Sequence, residues 1–136
     1  MPDATIKRLD EMESFYDGLV TRARASLGVT SWGMQLFDLP PGFDQYPNHN
    51  HAEDGPVDPG QEELYIPLAG SAVLRIDGRE HRLEPGVWAR VGMAELRQIV
   101  PGPDGFRYLA LGGRPGKAFV PPAWTELGAA PPSMPE

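Results

Sequence analysis

A chain of 136 residues is close to the usual size of one domain and leaves no room for two independent cores. Its 16 glycines and 16 prolines argue against a helical bundle, and the absence of cysteine excludes a disulfide scaffold, a thiolate nucleophile and Cys-ligated zinc. A net charge of −7 opposes nucleic acid and anionic membranes as partners, because both select clustered Lys and Arg.

In chain order, residues 6–12 read as an extended piece. Tyr16, Leu19, Val20, Ala23 and Leu27 then recur at helical spacing, with Ser14 and Asp17 as a capping pair and Gly28 as a stop. One short helix is predicted there, with Arg22 and Arg24 on its wet side. Residues 29–39, carrying Trp32, Met34, Leu36 and Phe37, predict a strand that Pro40-Pro41-Gly42 ends. Beyond it, turn residues recur so often that only short strands fit, over 63–68, 71–76, 79–83, 87–91, 95–100 and 106–111. Asp77-Gly78 suits the positive backbone angles of a two-residue type I′ hairpin. Regular short strands with tight turns imply an antiparallel sandwich or barrel. From Gly113 the chain reads as a strap anchored by Phe119 and Trp124, with a loose proline-rich end. The expected units are residues 1–28, 29–112 and 113–136. The first residues lack the basic and apolar parts of a signal peptide and no apolar run reaches membrane length, so a cytoplasmic location is expected.

Chemistry concentrates at Tyr46-Pro47-Asn48-His49-Asn50-His51. Residues i and i+2 of an extended segment share a face, so His49 and His51 project together and can share one metal ion. A third ligand is needed, and Glu62 and Glu63 are the nearest candidates; alternation lets only one of them face the histidines. His81 is expected to be exposed.

The segment from Gly42 to Gly78 resembles the first motif of the cupin superfamily, in which a glycine, a His-x-His pair, a glutamate and a second glycine follow in order. Gly42, His49, His51, Glu63 and Gly70 occupy those places, and the six residues between Glu63 and Gly70 match the motif and select Glu63 over Glu62. Between His51 and Glu63 lie eleven residues, more than the motif has, read as a loop insertion beside the barrel mouth. The second motif is present in outline, as Leu83-Glu84-Pro85-Gly86, a strand and a break at Gly92. Where many cupins carry a third metal-binding histidine, this chain has Arg97, which stays protonated and cannot be a ligand.

The resemblance, which covers residues 29–112, implies an all-β fold, the double-stranded β-helix or jelly-roll barrel, preceded by the short helix. It implies one divalent metal (iron, zinc, manganese or nickel) on His49, His51 and Glu63. A small, anionic organic ligand is expected near Arg97, with Tyr65 and Gln35 as further substrate-binding residues and Trp32 and Trp88 as possible pocket walls. An oxygenase or isomerase would suit such a site; the alternative is a non-catalytic module that binds or senses a small molecule, with or without metal. If Glu63 and Tyr65 face the barrel interior, Leu64, Ile66 and Leu68 must point outward as an apolar row that needs a cover, and a homodimer is expected to supply it.

Overall fold

The computed structural model describes residues 2–56 and 58–133. Its elements are β1 (Ser14–Phe15), β2 (Val20–Thr21), α1 (Ala23–Leu27), β3 (Gly33–Leu39), β4 (Glu62–Ile76), β5 (Arg79–Leu83), β6 (Ala89–Val91) and β7 (Arg97–Gly113), with single 3-10 turns at Leu9–Glu11 and Ala123–Thr125. The strands form one antiparallel sheet in the order β1-β2-β3-β7-β4-β5, with β6 also on β4. The protein is all-β, as expected. None of the helices among the described residues is long and apolar enough to cross a membrane.

Two long strands organise the barrel. β4 and β7 pair along their whole length, Glu62 opposite Gly113 at one end and Ile76 opposite Arg97 at the other. The sequence predicted two strands in place of each, broken at Ala69-Gly70 and at residues 101–105. The breaks are bends within continuous strands, because the pairing shifts register between Pro67 and Ala69 and again between Gly70 and Ala72. Gly70 sits at the crossing with φ +74°, and a Cβ there would lie 2.1 Å from the Gly105 carbonyl oxygen, so no other residue fits without moving the strand. The expected hairpin at Asp77-Gly78 is present, with φ +52° and +70°.

Alternation along the bent pair sends Tyr65, Leu74, Ile99, Phe106 and Tyr108 inward, where they pack with Leu39, Leu83 and Val91 as the core. Leu64 and Ile66 point outward and are half-buried, and Leu68 is exposed. They form the apolar row that the sequence implied.

The N-terminal region departs from expectation. Residues 14–21 form the β1-β2 hairpin, with Tyr16 and Asp17 at positive φ in its turn, and the helix shrinks to five residues closed by Gly28 at φ +81°. Ser14 therefore pairs with Thr21 in the hairpin and Asp17 lies in its turn, where a helix cap was predicted. Arg22 and Arg24 are buried, not wet, because the strap folds back over them. Arg22 bonds the Glu13 carboxylate and the carbonyls of Trp124 (3.1 Å) and Ala129 (2.8 Å), and its guanidinium lies 4.6 Å over the Phe15 ring. Arg24 bonds the Val29 carbonyl at 2.9 Å and Glu126 at 2.7 Å. Trp124 packs edge-on against Phe15, as an anchor of the strap should. Residues 134–136 of the expected loose end lie outside the described residues.

Candidate metal centre

The strand-like segment before the insertion reaches the barrel by one short pairing. His49 and Arg97 exchange backbone hydrogen bonds of 3.0 and 2.9 Å, and His51 donates its N–H to the Met93 carbonyl at 2.8 Å. These bonds fix the i, i+2 geometry, and the two imidazoles meet edge to face with ring centres 5.0 Å apart. Glu63, the second residue of β4, completes the group: one ligand atom from each of His49, His51 and Glu63 lies within 4.8 Å of the others.

Each donor is oriented. The Pro47 carbonyl accepts from His49 Nδ1 at 3.0 Å, which leaves Nε2 as the lone-pair nitrogen, the usual device for presenting histidine to a metal. His51 Nε2 and the Tyr65 hydroxyl both donate to Glu63 Oε1, at 2.8 and 2.9 Å. Burial pushes the Glu63 carboxyl up, but the His51 hydrogen bond, the charges of His51 and Arg97 and the Tyr65 hydroxyl outweigh it and hold Glu63 below its ordinary value. Burial likewise lowers His49, with smaller contributions from the positive charges of His51 and Arg97, and so favours the neutral form that binds metal. Two imidazoles and one ionised carboxylate converging on one point suit iron, zinc, manganese or nickel. The donor set fits a single divalent ion.

Above the group lies a cavity of about 480 Å³. His49, His51, Glu63, Tyr65 and Gln35 all line it, so five of the six residues proposed from sequence are brought together. Arg97 is the sixth. It has no accessible surface, and therefore forms no part of the wall; its Nη2 donates to the carbonyls of Gly92 (3.0 Å) and Val91 (3.4 Å), while Nε and Nη1 lack a hydrogen-bond partner. Trp32 and Trp88 are 46% and 65% exposed, away from this site, and His81 is exposed as expected.

Several wall residues could not be picked out from the chain alone. Tyr46 and Tyr108 join Tyr65 in a tyrosine cluster whose hydroxyls burial holds protonated. Asp58 comes from the insertion, in a left-handed conformation with φ +39°, and accepts from Trp124 Nε1 at 3.4 Å. Burial, reinforced by the Glu63 charge, raises its pKa. The only signal for Asp58 was the excess length of the spacer, which marks an insertion but gives no register for its residues.

No protein-family model and no curated protein matches the chain. Solved structures do. A cupin protein from Bacteroides fragilis superposes with a TM-score of 0.63 at 21% identity, over 96% of this chain and 98% of its own. A protein from Photorhabdus luminescens gives 0.59 at 17% identity, over 85% and 90%. The DMSP lyase DddQ from Ruegeria pomeroyi gives 0.52 at 26% identity over 65% of this chain, which spans only 42% of that protein.

Proposed function

Because the chain has the fold of the cupin superfamily, the double-stranded β-helix, we propose that it is a metal-dependent enzyme acting on a small organic molecule held in the 480 Å³ cavity. The observation that carries this reading is the convergence of His49, His51 and Glu63 on one point at the cavity wall, with His49 oriented by the Pro47 carbonyl and Glu63 by the Tyr65 hydroxyl. A divalent ion held there would supply Lewis-acid or oxygen-activating chemistry.

The chain's own residues have separable tasks in this reading. Pro47 holds the His49 tautomer, and Tyr65 fixes the Glu63 carboxylate. Asp58 faces the same cavity and, with its pKa raised by burial, is the carboxyl group best suited to take or return a proton there. Aromatic and aliphatic side chains make up most of the cavity's wall and would displace water from a bound molecule. A lyase, isomerase or oxygenase would all use these parts, and the likeness to a DMSP lyase supports the first without selecting a substrate.

Metal analysis of untagged protein tests the proposal. A stoichiometric ion, lost in both His49→Ala and Glu63→Ala while circular dichroism is unchanged, is the expected result. Absence of metal after reconstitution with iron, zinc, manganese and nickel would sink it. One observation favours a second reading: the His51–Glu63 hydrogen bond of 2.8 Å and the cation at Arg97 also make a metal-free acid–base pair in a binding or isomerising barrel. That reading predicts turnover or tight ligand binding that a chelator leaves intact.

A further inference from the structure

The cavity's wall has a composition that bears on what enters it. Nine Phe, Tyr and Trp side chains line it, among them Phe37, Phe43 and Tyr46, with Phe15, Phe119 and Trp124 contributed by the segments on either side of the barrel in sequence. So many rings around one chamber favour an apolar, ring-bearing guest, by area burial and by offset or edge-to-face contact.

Charge on the wall is sparse and already matched. Arg24 is the sole Lys or Arg among the lining residues, it is 4% exposed, and its Nη1 and Nη2 are committed to the Val29 carbonyl and the Glu126 carboxylate, while Nε is buried without a partner. Arg97, the cation expected to receive an anion, shows no surface to the cavity. The carboxylates that do reach the wall are Glu63, held by His51 and Tyr65, and Asp58, held by Trp124. Without a bound metal ion, an anionic guest would meet two carboxylates and no open cation, and moving its charge from water into such a site costs several kcal/mol; a dication on His49, His51 and Glu63 would be the one positive charge open to it. A cationic guest would find Glu63 already engaged.

Resting on the reading that this cavity is the substrate site, we propose that its ligand has an uncharged, predominantly aromatic body, with a single polar group directed toward His49, His51 and Glu63. The sequence placed an anionic group beside Arg97, which shows no surface to receive it. Specificity then comes from shape and from the absence of a charge partner, a form of rejection that needs no dedicated contact.

Three probes that share a ring system and differ in charge test it: 2-naphthalenemethanol, 2-naphthoate and 2-naphthalenemethylamine, titrated calorimetrically at pH 7.5 into metal-reconstituted and into chelator-treated protein. In the chelator-treated protein the alcohol is expected to bind at least about tenfold more tightly than either ion, roughly the discrimination that ~1.4 kcal/mol confers. Phe119→Ala, in the strap wall, is expected to weaken the alcohol several-fold with the far-ultraviolet spectrum unchanged. Gln35→Leu serves as a second wall variant should Phe119→Ala unfold. In the chelator-treated protein, tighter binding of the naphthoate or of the amine overturns the proposal, and so does heat-silent titration of all three. A gain of the naphthoate on adding metal reports the ion and not the wall, so the metal reading and this one fail separately.

Discussion

Arg97 and Asp58 show how single residues set the character of this site. Arg97 pairs with His49 across the sheet and keeps a fixed positive charge beside the metal ligands, which opposes any dication. Arg97→His removes that charge and offers a third imidazole, so affinity for zinc, measured by competition with a chelating dye, should rise at least about tenfold. An unchanged or lower affinity would show that Arg97 supports the ion it faces. Asp58 and Glu63 should influence stability in opposite directions. Glu63 is held below 4.5, so its contribution is present above that pH and fades as pH falls through the lowered value. Asp58 is raised above 3.8, so its contribution is full below 3.8 and is lost as pH rises through the raised value; at neutral pH its ionised form costs stability. Asp58→Asn keeps an acceptor for Trp124 and removes that cost, so the melting temperature should rise at pH 7.5 and the gain should narrow toward pH 4. If Asp58 also handles protons, the same variant loses turnover.

At the scale of elements, the bent β4-β7 pair carries most of the architecture, and its geometry depends on Gly70. Gly70→Ala should destabilise by more than about 2 kcal/mol in urea titration, since it adds both a clash with the Gly105 carbonyl and a penalty for positive φ. A loss under about 0.5 kcal/mol would mean the bend adapts. Legibility of the elements followed their locality. Asp77-Gly78 and Gly28 announced a hairpin and a helix stop because those conformations are set within a few residues. The β1-β2 hairpin reads as helix because the spacing of Tyr16, Leu19, Val20 and Ala23 outweighs Asp17-Gly18, a turn dipeptide of the same kind as Asp77-Gly78, and Arg22 and Arg24 read as solvent-facing because their partners lie about a hundred residues further along. The site divided in the same way. His49, His51 and Glu63 were legible through spacing, whereas Asp58 and Tyr46 reach the cavity by folding of an insertion and a loop that carry no periodic pattern.

At the scale of the whole molecule, the outward face of the central strands calls for a partner. Leu64 and Ile66 on β4 lie opposite Leu111 and Leu109 on β7, and Leu111 lies in turn opposite Met34 on β3, so one apolar band crosses three strands with Leu68 exposed beside it. A second copy presenting the same band would cover it about a two-fold axis, and we propose that the protein is a homodimer built this way. Light scattering should give twice the chain mass for the native protein and the chain mass for Ile66→Lys. A native monomer would end the proposal.

The clasp between Arg22 and the carbonyls of Trp124 and Ala129 gives the cavity a place in time as well as in space. Phe15 and the pair Phe119 and Trp124 reach the same cavity from far apart in sequence. Every strand precedes residue 114, so the barrel can close and assemble His49, His51 and Glu63 before the strap docks, while the chamber stands open on one side. A metal ion could then enter ahead of the strap, and shelter from water would come only with its docking.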